Sequence, residues 1–115
     1  MGFKNMVETV GDRLKRIRLE HNFTQNQIAE YLGFKQGQIA ELENNERKLK
    51  SDSIIKLSNL YRCSSEYIIL GIGEYSKTNM AFRSNNKNLS LDDIAEMNRI
   101  INNLEFLSRI TNKQE

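Results

Sequence analysis

The 115-residue sequence contains no proline and no tryptophan, and it has only one cysteine and one histidine. A single cysteine, Cys63, cannot form an intramolecular disulfide. Cys63 and His21 are also too few for a structural zinc site built from cysteine and histidine ligands. We therefore expect no bound metal, and we interpret Cys63 as a small apolar filler and His21 as a polar residue at a helix end.

Long hydrophobic runs are also missing. No apolar stretch approaches the roughly 20 residues that a membrane-spanning helix requires. The N-terminal MGFKNMVETVGDRL lacks the apolar segment of a secretion signal. No arrangement of serine, histidine and carboxylates predicts a nucleophile or an acid–base pair. We expect a cytoplasmic protein that has no membrane association, binds no cofactor and is not an enzyme.

The formal net charge of +2 is too small to indicate a polyanion-binding protein by itself. The distribution of charge is more informative. Seven basic residues lie between Arg13 and Leu49, at positions 13, 15, 16, 18, 35, 47 and 48. Residues 89–115 have three basic residues against five acidic ones. The basic end of the chain is therefore its N-terminal half.

The spacing of apolar residues predicts an all-α protein, because intervals of three and four recur and strand patterns are scarce. Thr24 supplies a hydroxyl N-cap for the second helix, and Gly33 ends that helix by permitting a positive φ. Ser51 or Asp52 is expected to cap the fourth helix. The predicted helices cover residues 7–20, 25–32, 36–44 and about 51–61, followed by a short helix that opens at Ser64 and ends before Gly71.

The C-terminal part of the chain predicts one further element. Residues 1–71 form the predicted first domain, and the polar residues 72–88 are typical of a linker. Within 89–115, Ser90 followed by Asp93 resembles a capping box and opens a helix that reaches about Ile110. Its apolar stripe comprises Ile94, Met97, Ile100, Ile101, Leu104, Leu107 and Ile110. This helix either folds back on its own domain or pairs with the same helix of a second chain, and we favour the homodimer.

The segment TQNQIAEYLGFKQGQIAELENNER, which begins at Thr24, predicts two helices joined by a tight turn. Ala29 lies where the two helices must approach closely, and Gly33 lies in the turn. Residues 10–71 resemble the Xre-type helix-turn-helix family, which includes the lambdoid phage repressors, their Cro proteins and many small bacterial regulators. The positions that carry the resemblance are Thr24-Gln25, Ile28-Ala29, Gly33, Ile39 and Glu43-Asn44.

The resemblance implies a five-helix, lambda-repressor-like DNA-binding domain, here followed by a C-terminal amphipathic helix. It also implies a transcriptional regulator that binds the major groove of double-stranded DNA. We favour a repressor that binds a palindromic operator as a homodimer. Two other functions stay open: an antitoxin that represses its own operon and binds a protein partner through the C-terminal region, and an adaptor that does not bind DNA.

Helical geometry indicates which side chains of the third helix face DNA. If Ile39, Leu42 and Glu43 face inward, the opposite face is small and polar. Small residues let a helix enter the major groove, and glutamine can pair bidentately with adenine, so Gln36 is the first candidate for base readout. The full set of base-reading candidates is Lys35, Gln36, Gly37, Gln38 and Glu41.

Further roles follow from the resemblance alone. It implies that Gln25 contacts a phosphate and braces Gln36, and that Arg18 and Glu43 form a partly buried ion pair. It places Asn44, Arg47 and Lys48 on the DNA backbone. The sequence departs from the family at Gly37, where Ser, Thr or Gln is frequent, and at Asn45, which replaces a turn glycine.

Overall fold

The computed structural model describes residues 8–73, 75 and 90–113. These residues form six α-helices and no strand, which confirms the all-α prediction. The helices are α1 (Val10–Glu20), α2 (Gln25–Leu32), α3 (Gln36–Glu43), α4 (Ser51–Tyr61), α5 (Ser65–Leu70) and α6 (Leu91–Lys113). Most of the predicted linker lies outside the described residues.

The start of α1 is set by a capping box at Thr9. The hydroxyl of Thr9 accepts a hydrogen bond from the backbone N–H of Asp12 at 3.1 Å, and the carboxylate of Asp12 accepts one from the N–H of Thr9 at 3.4 Å. The prediction that this helix includes residues 8 and 9 was wrong, because the cap satisfies the first N–H groups at Thr9 instead. Val7 lies outside the described residues.

The other helix ends follow the predictions more closely. The bounds of α2 are as predicted, and Gly33 ends it in the left-handed conformation with φ 76°. The capping box between Ser90 and Asp93 is also confirmed. The N-cap of α4 is Lys50 rather than Ser51 or Asp52, and its side chain makes no capping bond. Asn44 is the C-cap of α3 rather than its last residue.

Buried apolar side chains from all six helices and the loops between them form one core. Leu14 and Ile17 of α1 belong to the same core as Ile28 and Ala29 of α2. The remaining buried apolar residues are Phe23, Tyr31, Ile39, Leu42, Leu57, Leu60, Tyr61, Ile68, Ile94 and Ala95. Leu49 packs against this core and is half-buried. The core therefore lies directly behind the α2–α3 pair.

The first half of α6 is part of this core. Ile94 is 3% exposed, and Asn98 is fully buried with its Nδ2 donating to the carbonyls of Asn59 and Leu60, both at 3.0 Å. Ile94, which we expected at an interface between two chains, is therefore buried in its own chain. The second half of α6 is different, because Leu104 and Leu107 are exposed.

The single histidine is buried and the single cysteine is half-buried. His21 is the C-cap of α1 and is 4% exposed, with its ring 5.0 Å from the ring of Tyr61. Burial lowers the pKa of His21 to about 4. Cys63 is half-buried against the core, and burial raises the pKa of its thiol to about 12, which agrees with its interpretation as an apolar filler. None of the described helices is both long and apolar enough to cross a membrane.

Candidate nucleic-acid interface

The third helix presents a small, polar face to solvent. Ile39, Leu42 and Glu43 are buried, so the opposite side of α3 faces outward. Gln36 and Gly37 are exposed there, and a Cβ added at Gly37 would have no atom within 4 Å. Gly37 adds no side chain to this surface, which lets the helix backbone approach the floor of a groove closely.

A chain of hydrogen bonds connects this outer face to the interior. The Nε2 of Gln36 donates to the Oε1 of Gln25 at 2.5 Å, and the Nε2 of Gln25 donates to a carboxylate oxygen of Glu43 at 3.0 Å. Glu43 in turn accepts from Arg18. The side-chain amide of Gln36 is thus oriented from behind before any ligand is bound.

The pair formed by Arg18 and Glu43 is bidentate and buried. The Nε of Arg18 lies 2.6 Å from one carboxylate oxygen of Glu43, and its second Nη lies 3.1 Å from the other. The remaining Nη donates to the carbonyl of Phe23 at 2.9 Å. Buried charges are stable only when they are paired and hydrogen-bonded in this way. The pair ties α1 to α3 and holds the start of α2 beside them.

Gln38 has a local structural bond that the sequence interpretation missed. Its Oε1 accepts a hydrogen bond from the backbone N–H of Lys35 at 2.8 Å and so caps the N-terminus of α3. The side chain of Lys35 is exposed beside it. An S/T/D/N residue usually signals such a cap, and its absence at position 35 is why the sequence pattern did not reveal it.

Glu41 and Arg47 are paired with each other at the edge of the α3 face. The Nε of Arg47 donates to Glu41 at 3.0 Å, and the two side chains are 40% and 47% exposed for Arg47 and Glu41 respectively. Arg47 thereby offsets the negative charge that Glu41 would otherwise present toward phosphates. Asn44 and Lys48 are exposed nearby in sequence, at the end of α3 and in the loop that follows.

The sequence pattern of the helix-turn-helix family matches residues 14–68, and this segment contains the two helices and the turn described above. Residues 14–68 therefore carry an Xre-type, lambda-repressor-like helix-turn-helix. The resemblance stated from the sequence is thereby confirmed.

One curated relative can be named. The chain is 38% identical over 71 residues to the HTH-type transcriptional regulator ImmR of Bacillus subtilis (strain 168). The match covers 62% of the chain and 55% of the relative, so it spans about half the length of that protein. No solved structure gave a significant match.

Three of the seven basic residues between Arg13 and Leu49 are buried or half-buried and held by internal partners. Arg13 is buried and donates to the carbonyl of Ile68 at 2.8 Å. Arg16 contacts Glu8 at 2.7 Å and the hydroxyl of Tyr67 at 2.8 Å. Arg18 is the third, through the buried pair. Of these seven residues, only Lys15, Lys35, Arg47 and Lys48 are exposed, so this segment presents fewer cations to solvent than the sequence indicates.

Asn45 is a further residue that positions the interface of the Xre-type domain. It has a left-handed backbone with φ 64°. Its Oδ1 accepts from the N–H of Gly11 and its Nδ2 donates to the hydroxyl of Thr9, both at 2.9 Å. Gly11 permits this contact, because a Cβ there would lie 2.4 Å from the carbonyl oxygen of Glu43. A glycine inside an amphipathic helix was the available sequence signal for this close approach.

Proposed function

We propose that this protein is a sequence-specific DNA-binding transcriptional regulator that inserts α3 into the major groove of double-stranded DNA. The observation that carries the proposal is the oriented amide of Gln36 on the exposed, small-residue face of α3. Adenine recognition requires an acceptor and a donor from one glutamine amide. Gln36 can supply both, since its Nε2 has a second hydrogen beyond the one that bonds Gln25.

The base-reading surface of the proposal is the first half of α3 and its neighbour Glu41. Gln36 reads one base pair, and Gly37 allows the close approach. Lys35 reaches a guanine edge or a phosphate, while Gln38 contributes through its Nε2 because its oxygen caps the helix. Glu41 accepts from cytosine N4 or disfavours other bases by its charge.

The DNA backbone is contacted on both sides of this surface. The N-terminus of α2 carries N–H groups without a partner inside the helix, so a phosphate beside Gln25 is favourable there. Asn44, Arg47 and Lys48 lie at the other end of α3 and fix its register along the duplex. These contacts supply affinity without reading sequence.

We further propose that the protein acts as a repressor and binds a palindromic operator as a homodimer. Two copies related by a two-fold axis place their α3 helices one helical turn of DNA apart, about 34 Å. A single small module binds weakly at cellular salt, and a second copy raises the affinity by avidity. Such a role requires access to the chromosome, so we place the protein in the cytoplasm.

Selection of bound sequences from a random DNA pool tests the proposal directly. We expect an enriched motif with two-fold symmetry. Gln36→Ala should relax the preference at one position of each half-site, whereas Arg47→Ala should weaken binding to all sequences alike. A pool without any enriched motif at low salt would contradict the proposal, and an asymmetric motif would contradict its dimeric part.

A further inference from the structure

A cavity of about 550 Å³ lies between helices α1, α4 and α5, the end of α3 and the loop that follows α3. Its volume falls within the range of roughly 300–1,000 Å³ that is typical of small-molecule sites. Most of the side chains that line it are apolar, and these are Val10, Leu14, Leu42, Leu49, Ile54 and Ile69.

The apolar lining extends from the core to the surface. Leu14 and Leu42 are buried, Leu49 and Ile54 are half-buried, and Ile69 is 42% exposed. The cavity therefore has an apolar floor that belongs to the core and an apolar wall that reaches solvent. A lining of this kind is favourable for a hydrocarbon group, because the group and the wall both leave water when they meet.

The mouth of the cavity carries charges of both signs, with more cations than anions. The exposed loop residues Glu46, Arg47 and Lys48 line it. Arg47 is paired with Glu41 at 3.0 Å. The ammonium of Lys48 makes no hydrogen bond or ion pair within the part of the chain that the structure describes, so it can bind a carboxylate without losing an internal partner there. Glu46 disfavours a head group with a second negative charge.

We propose that this cavity binds an amphipathic monoanion, with its hydrocarbon body on the apolar floor and its carboxylate at Lys48. Charge complementarity at the mouth favours such an anion over an uncharged or a cationic molecule with the same hydrocarbon chain. The few polar groups are all at one end of the cavity, so they also fix the orientation of the ligand.

The loop that forms the mouth is held in place before any ligand binds. The side chain of Asn45 bonds to Gly11 and Thr9, both at 2.9 Å, and the N–H of Glu46 donates to the carbonyl of Glu41 at 2.8 Å. A preformed site costs less free energy to occupy, because little backbone has to be ordered on binding. We therefore expect saturable binding even of a ligand as small as octanoate.

Occupancy of the cavity should oppose DNA binding. This part of the inference rests on the proposed function, in which Arg47 and Lys48 contact the DNA backbone. A ligand carboxylate and a DNA phosphate compete for the same ammonium of Lys48, and the bound anion adds a negative charge beside the duplex. By linkage, DNA weakens the binding of the ligand by the same factor.

NMR titration of the isotopically labelled full chain with octanoate tests the site itself. We expect saturable shifts at the amides of the cavity residues Leu49, Ile54 and Ile69. The probes 1-octanol and octylammonium have the same hydrocarbon chain with an uncharged and a cationic head group. We expect the dissociation constant of 1-octanol to be about threefold larger than that of octanoate, and that of octylammonium to be larger still.

Two matched pairs of variants locate the head group and the hydrocarbon body. Lys48→Ala should weaken octanoate binding about threefold and leave 1-octanol binding unchanged, whereas Lys50→Ala, in the same loop but outside the lining, should change neither. Ile69→Gln should weaken the binding of both probes. Leu70→Gln should weaken neither, because Leu70 is the exposed neighbour of Ile69 on α5 and lies outside the lining. Circular dichroism should show equal helix content in all variants.

Four outcomes would overturn the site: shifts that stay linear in octanoate concentration, shifts centred on the exposed apolar residues of α6, octylammonium binding as tight as that of octanoate, or equal effects of the two members of either pair. Each of these would show that the amphiphile binds elsewhere or without selection by charge.

The effect on DNA binding is measured separately, as the affinity for the selected operator with and without saturating octanoate. The affinity should fall by about threefold or more with octanoate and stay unchanged with 1-octanol. An unchanged affinity in octanoate would overturn the regulatory part. If the chain binds no DNA while octanoate saturates the cavity, the proposed function fails and the site stands. If the chain binds DNA while octanoate does not bind, only the site fails.

Discussion

At the scale of single residues, Gln36, the first candidate for base readout, is connected to the core by a series of hydrogen bonds. Gln36 is held by Gln25, Gln25 by Glu43, and Glu43 by the buried guanidinium of Arg18. Each group therefore depends on the one behind it for its orientation. A substitution at the buried end of this hydrogen-bonded series would lower DNA affinity through lost folding or lost orientation of Gln36. Such an effect must be distinguished from the loss of a direct contact with DNA.

The buried pair of Arg18 and Glu43, at the inner end of this hydrogen-bonded series, gives the first prediction. Arg18→Met should lower the free energy of unfolding by about 3–5 kcal/mol, because it leaves the carboxylate of Glu43 buried and without its charge partner. Urea denaturation measures this change. Arg99→Ala is the matched control, since Arg99 pairs with Glu96 on the surface of α6 and its loss should leave the midpoint unchanged. An unchanged midpoint for Arg18→Met would contradict the stabilising role of the pair.

His21 predicts a specific dependence of stability on pH. Burial lowers its pKa from an ordinary value of 6.5 to about 4 in the folded state. Well above pH 6.5 the imidazole of His21 is neutral in both the folded and the unfolded state, so His21 adds no pH dependence to the stability there. As the pH falls from 6.5 to about 4, the unfolded state binds a proton that the folded state does not, and stability declines by about 1.4 kcal/mol per pH unit.

The replacement His21→Phe isolates this effect. Phenylalanine keeps the contacts with the rings of Phe23 and Tyr61 and cannot titrate. Chemical denaturation between pH 4 and pH 7 should give a shallower decline for the variant than for the wild type, since only the carboxylates then contribute. Parallel curves for the two proteins over this range would refute the assignment to His21.

At the scale of helices, Asn45 joins the end of α3 to the start of α1, and two replacements separate its contributions. Asn45→Gly keeps the left-handed backbone and loses the bonds to Gly11 and Thr9, so we expect a loss of about 1 kcal/mol. Asn45→Ala loses the same bonds and adds backbone strain of about 1 kcal/mol. Thermal unfolding should rank the wild type above Asn45→Gly and Asn45→Ala last. Equal stability of all three would show that this junction contributes nothing.

The helices differ in how far the sequence predicts them, and the reason is the range of the interactions that fix them. The bounds of α2 were predicted because Thr24 and Gly33 act on their own neighbours in sequence. The roles of Arg13 and Arg16 were not, since their partners at Ile68 and Tyr67 lie more than 50 positions away. A count of basic residues cannot distinguish such internal cations from surface ones.

The same reasoning applies to α6 and to the candidate site. The sequence predicted a broad apolar stripe, but only tertiary packing decides which part of it meets α4, and so Ile94 was assigned to the wrong interface. In the α2–α3 motif, periodicity predicted the inward direction of Ile39 and Leu42. It could not predict that Gln38 caps its own helix or that Arg47 pairs with Glu41, because both bonds depend on side-chain rotamers.

At the scale of the whole molecule, α6 couples oligomeric state to the position of the proposed DNA-binding surface. Asn98 and Arg62 fasten α6 to the end of α4, and α4 packs on the core behind α2 and α3. If Leu104 and Leu107, which are exposed on the second half of α6, form the proposed dimer interface, the two domains are connected through helix contacts rather than tethered by a flexible linker. The distance between the two domains is then fixed by the folded chain, and the separation between the two half-sites of the operator should vary over only a narrow range.

The salt dependence of DNA binding reports this whole-molecule arrangement. Each phosphate neutralised by a lysine changes the slope of log K against log salt by about 0.9. Lys48 is exposed in the loop that follows α3, and a homodimer on a palindromic site presents it twice. Lys48→Ala should therefore reduce the steepness of the slope by about 1.8 on the full operator and by about 0.9 on a single half-site.

Arg109→Ala is the control for this measurement, because Arg109 is exposed on α6, which packs mainly on α4. Its slope should equal that of the wild type, which separates a lost phosphate contact from a general change in net charge. A reduction of about 0.9 for Lys48→Ala on both the full operator and the half-site would mean that one copy binds the palindrome, and it would argue against the dimer on DNA even if a dimer forms in free solution.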